Sequence, residues 1–355
     1  MMKIGLLTVY FADYGSYFQA AALQKHLESM GHSCELIRDD RRALRSPRLA
    51  LGKIGTAVLP KRVLRVIADH VDVYRSFLAL KNDVDKLSVS PSALRIKALT
   101  KRYDCVIVGS DELWSATNRN TRFIPEYFGM DLSCPVISYA TSGITLSDPS
   151  DAMMKKITEG LKTFRAIAVR DPITAEWVGK AVNRKIGIVL DPTLLNPFFI
   201  GKKTIGEPFA LVYGEHFSEE QIAAMKAFAE RENLLLYGVA WKHPWCDRNV
   251  EPASAAELQD YFKSCSYAFS STFHGTIFSI VNHAQFASFA TELRGKKVRC
   301  LLEQLGLSDR LYPDKSGGIP DAPIDYDAVE NTLRTQRIAS QQYLEDALKN
   351  VLGEV

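Results

Sequence analysis

KIGLLTVYFADYGSYFQAAALQKHLESMGHSCELI, residues 3–37, is the stretch whose reading decides the fold. Lys3-Ile4-Gly5-Leu6-Leu7-Thr8-Val9 is an apolar run of strand length, and a loop from Tyr10 to Gly15 follows it. From Tyr17 to Met30, the residues Phe18, Ala21, Ala22, Leu23 and Leu27 recur at the spacing of one helix face. Gly31 stands where a glycine commonly closes a helix, and Cys34-Glu35-Leu36-Ile37 supplies a second strand. Strand, helix and strand in succession are the unit of a parallel, doubly wound sheet.

The same grammar repeats along the chain. Asp104–Asp111, Val136–Ala140, Ala166–Asp171 and Ile186–Leu190 are short apolar runs that end in glycine or polar residues. Such runs read as buried strands opening into functional loops at their carboxyl ends. Residues 41–100 give only a helix over Val63–Leu80 and a short connection near Leu87. Asn196 to Pro208 is rich in Gly, Pro and Lys and reads as a linker. A second series follows, with strands at Phe209–Tyr213, Leu234–Val239, Tyr267–Ser270 and Phe286–Ala290. Its helices are expected at 218–232, 254–264, 275–282 and 298–305, with Ser254 and Glu257 as a capping box. Tyr326–Val351 reads as one long terminal helix. The expectation is an α/β protein of two Rossmann-like domains facing a cleft in a GT-B-like arrangement. The first domain spans 1–196, the second 209–325, and the helix of 326–355 is placed to cross back to the first.

A chain of 355 residues suits two domains, and 46% hydrophobic content supplies two cores. A net charge of +3, from 44 basic and 41 acidic residues, is too small to imply a nucleic-acid partner. The basic runs Arg38–Arg48 and Lys61–Arg65 are either a solvated face or a patch for an anionic, lipid-linked sugar at a membrane surface. No run reaches the ~18 apolar residues of a membrane span, and the first residues lack the regions of a signal peptide. Six scattered cysteines without a CxxC pair point to reduced thiols and a cytoplasmic location. There is no G-x-G-x-x-G after the first strand and no Walker pattern, which argues against NAD or ATP. His243, Cys246 and Asp247 match no zinc spacing, so neither metal nor cofactor is expected.

Chemistry concentrates in Ser270-Ser271-Thr272-Phe273-His274-Gly275-Thr276-Ile277-Phe278. A strand ends there, small hydroxyl residues follow, and a helix opens, which turns backbone N–H groups and the positive helix end toward an anion. Ser271 and Thr272 can add donors, Gly275 permits close approach, and His274 titrates near neutrality. Asp111 either orients a hydroxyl or makes an Asx-turn after its strand. Trp114 either stacks on a sugar ring or packs in the core.

The order of these motifs resembles that of the polysaccharide pyruvyl transferases. Ser271-Thr272-Phe273-His274-Gly275 is similar to the family's Ser–Phe–His–Gly motif, and Asp13-Tyr14-Gly15-Ser16 with Gln19 is similar to its Asn–Tyr–Gly opening. Gly109-Ser110-Asp111-Glu112-Leu113-Trp114, Val169-Arg170-Asp171, Leu190-Asp191-Pro192-Thr193 and Lys296-Lys297-Val298-Arg299 follow in the family's order. Asp13 replaces the family's Asn, and Ser271 and Thr272 stand where Asp or Arg is frequent. The resemblance implies a transferase that moves pyruvate from phosphoenolpyruvate onto a sugar of a polysaccharide or its precursor as a ketal. It implies His274, Arg170 and Asp111 as catalytic residues. The donor would meet Arg170, Ser271, Thr272, His274, Gly275, Lys297 and Arg299, since an arginine fork pairs with carboxylate and phosphate. The acceptor glycan, free or lipid-linked, would meet Asp13, Tyr14, Gly15, Ser110, Asp111 and Trp114, with peripheral membrane contact in the lipid-linked case. The alternatives on the same scaffold are a glycosyltransferase using a nucleotide sugar and a catalytically inactive sugar-binding protein.

Overall fold

A computed structural model describes residues 1–10, 13–38, 80–91, 96–117, 123–289, 295–313 and 317–353. Most of the basic runs and of the helix expected over Val63–Leu80 lie outside them.

The first half is β1 (Lys3–Leu7), α1 (Tyr14–Ser29), β2 (Ser33–Leu36), α2 (Ile96–Thr100), β3 (Cys105–Val108), β4 (Val136–Ser138), α3 (Asp151–Leu161), β5 (Ala168–Val169), α4 (Pro172–Val182), β6 (Gly187–Ile188) and α5 (Pro192–Leu195). All strand pairs are parallel, in the order β2-β1-β3-β4. Isolated bridges from Ile137 to Ala166 and from Thr141 to Val169 join this sheet to the β5-β6 pair, and Val89 bridges to Leu36 beyond β2.

The second half is β7 (Phe209–Tyr213), α6 (Glu219–Arg231), β8 (Leu235–Val239), β9 (Arg248–Val250), α7 (Ala255–Ser264), β10 (Tyr267–Ser270), α8 (Phe273–Val281), β11 (Phe286–Phe289), α9 (Gly295–Gln304) and β12 (Leu311–Tyr312). Its parallel order, β12-β11-β10-β7-β8-β9, is the doubly wound order 3-2-1-4-5-6 read from the other edge. The order reverses between β7 and β10, and in the first sheet between β1 and β3. Ligands of such sheets bind at those switch points, beyond the strands' carboxyl ends.

One apolar core continues from half to half. Phe18 of α1 meets Phe278 of α8 with ring centroids 4.9 Å apart, and both rings are fully buried. Burying such a side chain contributes about 1.5–3 kcal/mol. Tyr14 Oη donates to Pro252 O at 3.0 Å, and Ala255 N to Asp83 Oδ2 at 2.8 Å, so polar ties accompany the packing.

The last helix, α10 (Tyr326–Leu352), lies on both halves. Near its start Tyr326 Oη donates to Ala284 O, and its ring stacks on His283. Further along, Arg337 Nε donates to Leu194 O at 2.8 Å, Ser340 Oγ accepts Leu190 N–H at 3.0 Å, and Tyr343 Oη donates to Ser138 O at 2.7 Å. Two parallel doubly wound sheets and this long terminal helix form the GT-B-like arrangement expected from the sequence. Among the described residues no helix is long and apolar enough to cross a membrane.

Candidate active site

Five loops converge where the switch points meet. The loop after β1 ends at Asp13, which caps α1: its Oδ1 accepts the Ser16 N–H at 2.8 Å, and Ser16 Oγ accepts the Asp13 N–H at 3.0 Å. Gln19, fully buried, holds this loop by donating to Val9 O and Ser16 O. The loop after β3 carries Ser110 and Asp111, and Asp111 has φ 82°, uncommon for a residue other than glycine. Arg170 follows β5, and Asp191 follows β6 as the cap of α5. From the second half, Thr272 caps α8 by accepting the Gly275 N–H at 2.9 Å and so fixes His274 in the first turn.

Arg170 is the centre. It is 5% exposed, and its Nη1 donates to Asp191 Oδ2 at 3.0 Å. Its Nη2 lies 3.8 Å from Asp111 Oδ1. The guanidinium sits 4.3 Å from the centroid of the Phe273 ring, a cation–π contact. Nε and Nη2 are buried with no hydrogen-bond partner among the described residues. His274 Nε2 is likewise without a partner and lies 3.8 Å from the same Asp191 oxygen.

The charges act on one another. Burial lowers the pKa of His274, Asp191 pulls it up, Arg170 lowers it, and Asp111 and Asp13 raise it; the net direction is down. Burial opposes ionisation of Asp111, yet Arg170, His274, Lys297 and the Glu112 N–H together hold its carboxyl below the usual range. Lys297 of α9 reaches across to Glu112 Oε2 at 3.3 Å, and both side chains are largely buried. Arg170, Asp191, Phe273 and Lys297 wall a cavity of about 10 Å³, room for about one water.

The structure thus brings Arg170, His274, Asp111, Lys297, Asp13 and Gly15 together. Gly15 lies so close to His274 that a Cβ there would overlap its ring at Nδ1. Other expected site residues are placed differently. Trp114 is fully buried against Phe128, Phe164 and Trp177, and its Nε1 donates to Tyr127 O at 2.6 Å, so no sugar can stack on it. Tyr14 is 1% exposed and serves as the tie to Pro252 already described. Ser110 is buried and donates to Ala140 O and Asp191 Oδ2, which makes it a support for the site. Ser271 is buried and bonded to both backbone groups of Glu215, which leaves its hydroxyl no donor for a ligand. Gly275 faces Ser270, Tyr213 and Thr272, so its missing side chain serves packing. Arg299 is exposed two residues beyond Lys297, and positions two apart on a helix do not share a face. His243 is wedged between Phe217 and Trp245, while Asp247 accepts the Leu236 N–H.

Three members of the cluster escape a reading by residue type. Asp191 stands at the carboxyl end of its strand, the same positional rule that singles out Arg170. Phe273 is apolar and looks like core. Glu112 follows Asp111 and shows its role only through Lys297, a residue 185 positions away.

Among curated proteins none matches the sequence. Solved structures of similar shape include Arabidopsis thaliana UGT89C1 complexed with UDP, 13% identical, covering 98% of this chain and 95% of that one with a TM-score of 0.46. UDP-GlcNAc 2-epimerase from Methanocaldococcus jannaschii is 9% identical, with 94% and 92% covered and a TM-score of 0.49. An alpha-glucosyltransferase in complex with UDP and a 13-mer DNA containing a HMU base is 8% identical, with 99% and 95% covered and a TM-score of 0.44. These likenesses say nothing of the chemistry. The family model described as polysaccharide pyruvyl transferase matches residues 13–292, a span that holds the caps of α1 and α8 and the Asp111, Arg170, Asp191 and His274 cluster between them. The chain belongs to the polysaccharide pyruvyl transferase family.

Proposed function

We propose that this transferase moves the pyruvyl group of phosphoenolpyruvate onto two hydroxyls of one sugar in a glycan or glycan precursor. The observation that carries the reading is the set of buried donors without a hydrogen-bond partner among the described residues, Nε and Nη2 of Arg170 and Nε2 of His274, beside the start of α8. A donor with a carboxylate and a phosphate supplies the acceptors such groups require.

Arg170 binds the anion and stabilises the departing phosphate, an electrostatic task suited to a dry site. Lys297 joins it when the donor displaces its pairing with Glu112, since a cavity of about 10 Å³ admits no three-carbon phosphate. An anion beside His274 raises the pKa that burial and Arg170 depress, and so favours the imidazolium. That acid protonates the methylene carbon of the donor, and cationic character develops at the adjacent carbon. A sugar hydroxyl adds there and gives up its proton to Asp111. The bond to phosphate then breaks, and a second hydroxyl of the same sugar closes the ring. One proton enters the new methyl group and two leave the hydroxyls, one of them carried off by phosphate. The acceptor approaches from Asp13, Gly15 and Asp111. For a lipid-linked acceptor the protein works at the inner face of a membrane, in the cytoplasm.

Phosphate release from phosphoenolpyruvate, measured with free and lipid-linked glycans, tests this reading. We expect acceptor-dependent release that falls by about 100-fold or more in His274→Ala, the scale of a lost general acid, with the variant still folded. Full turnover in that variant would remove His274 from the mechanism. Failure of the wild type to bind phosphoenolpyruvate would remove the donor.

A further inference from the structure

We infer that Asp191 is a positioning residue: one carboxylate holds the Arg170 fork and the His274 ring in register across the two halves of the molecule. Its side chain is 1% exposed, and both oxygens are committed. Oδ1 accepts the Thr193 N–H at 3.0 Å, which makes Asp191 the cap of α5, with Pro192 in the first helical turn. Oδ2 accepts from Arg170 Nη1 at 3.0 Å and from Ser110 Oγ at 3.4 Å. The same oxygen lies 3.8 Å from His274 Nε2.

Arg170 and His274 come from different sheets, and nothing covalent relates them except a long detour of chain. Asp191 is anchored by the backbone of the first half, so it is a fixed point. It occupies Nη1 of the guanidinium and leaves Nη2 and Nε buried without a hydrogen-bond partner among the described residues. The fork is thereby aimed with one edge held and the other available. For His274 the carboxylate is the strongest of the charges opposing burial, with Arg170 lowering the pKa and Asp111 and Asp13 raising it. An aspartate at this distance raises the basicity of the ring by charge and leaves Nε2 without a hydrogen bond among the described residues.

The consequence for turnover rests on the pyruvyl-transfer reading, but the geometry does not, and the test separates them. Asp191→Asn keeps an oxygen for the Thr193 N–H and removes the charge. In the wild type and this variant, His274 is titrated by NMR with ring-labelled histidine, its signal identified by its loss in His274→Ala. We expect the midpoint to move down by roughly half a pH unit or more when the opposing charge is gone. In the phosphate-release assay kcat should fall about 100-fold, the scale of a misaligned catalytic group. KM for the donor should stay level or drop, because a negative charge beside the anion site has been removed. An unmoved His274 midpoint, or a kcat within about threefold of wild type, overturns the proposal. So does a loss of kcat matched by a parallel rise in KM, which marks a site that has merely come apart. Should the Asn variant not fold, Asp191→Ser, which also keeps a capping oxygen, takes its place under the same criteria. A wild type that fails to bind phosphoenolpyruvate sinks the donor assignment and leaves the titration to decide Asp191 by itself.

Discussion

Arg170 shows how one side chain is both bound and left open. Asp191 takes Nη1 and Phe273 lies beneath the plane, while Nε and Nη2 have no hydrogen-bond partner among the described residues. Lysine at this position keeps a charge for Asp191 but loses the fork. Arg170→Lys should weaken phosphoenolpyruvate binding about tenfold or more, or about 1.4 kcal/mol, as read by calorimetry. Trp114 makes the opposite case. Its indole is enclosed by three aromatic rings and its N–H is satisfied, so Trp114→Ala should cost about 3–5 kcal/mol of stability, seen as a lower Tm. His274 and Arg170 are legible in the sequence because a titratable or cationic residue at a strand's carboxyl end has few bland uses. Trp114, Tyr14 and Ser110 are not, because aromatic and hydroxyl residues serve core and cleft equally well. Which they do depends on neighbours far away in the chain.

At the scale of elements, the site is a meeting of two helix starts. The N-terminus of α1 presents Gly15 to His274 at the N-terminus of α8, with no room for a Cβ. Alanine in a helix is ordinarily more favourable than glycine by roughly 0.5–1 kcal/mol. Here Gly15→Ala should nonetheless abolish most turnover by displacing the His274 ring, with only a small change in Tm; normal activity would show that the two helix ends can part freely. Thr272→Ala removes a cap and should cost about 1 kcal/mol, measurable by chemical denaturation. Strands β1, β3, β7 and β10 and the helices after β1, β7 and β10 follow from apolar runs bounded by glycine and polar residues. The edge strands β9 and β12 do not, because Arg248-Asn249-Val250 and Leu311-Tyr312 are too short to carry a pattern. The capping box expected at Ser254 is half formed: Ser254 Oγ accepts the Glu257 N–H, but Glu257 reaches back to the Ala253 N–H.

For the whole molecule, the shared core makes acid a common threat. Burial lowers the pKa of His26, with Glu345 raising it; it lowers that of His243, where a backbone bond to Gly214 and Glu215 raise it; and it lowers that of His274. Each group is depressed on folding, so below about pH 6.5 the unfolded chain binds more protons than the folded one. Stability should therefore be full above that pH and fall as the pH drops through the folded-state values. A series of melting curves from neutrality downward checks this, and a Tm flat over that window would contradict it. The parallel, doubly wound character of each sheet is legible in the alternation of strand and helix, while the strand order comes from the folded chain. The Asp191 link between Arg170 and His274 is not, since it joins residues that only the folded chain makes neighbours. The terminal helix adds a consequence in time. Leu190 N–H, Leu194 O and Ser138 O, all in the first half, wait for partners on residues 337–343. As the chain emerges during synthesis, its first half has nothing to lie against that face until the last helix appears. A chain halted before residue 326 should be cut by protease in its first half as well as at its end, whereas the finished chain resists at both.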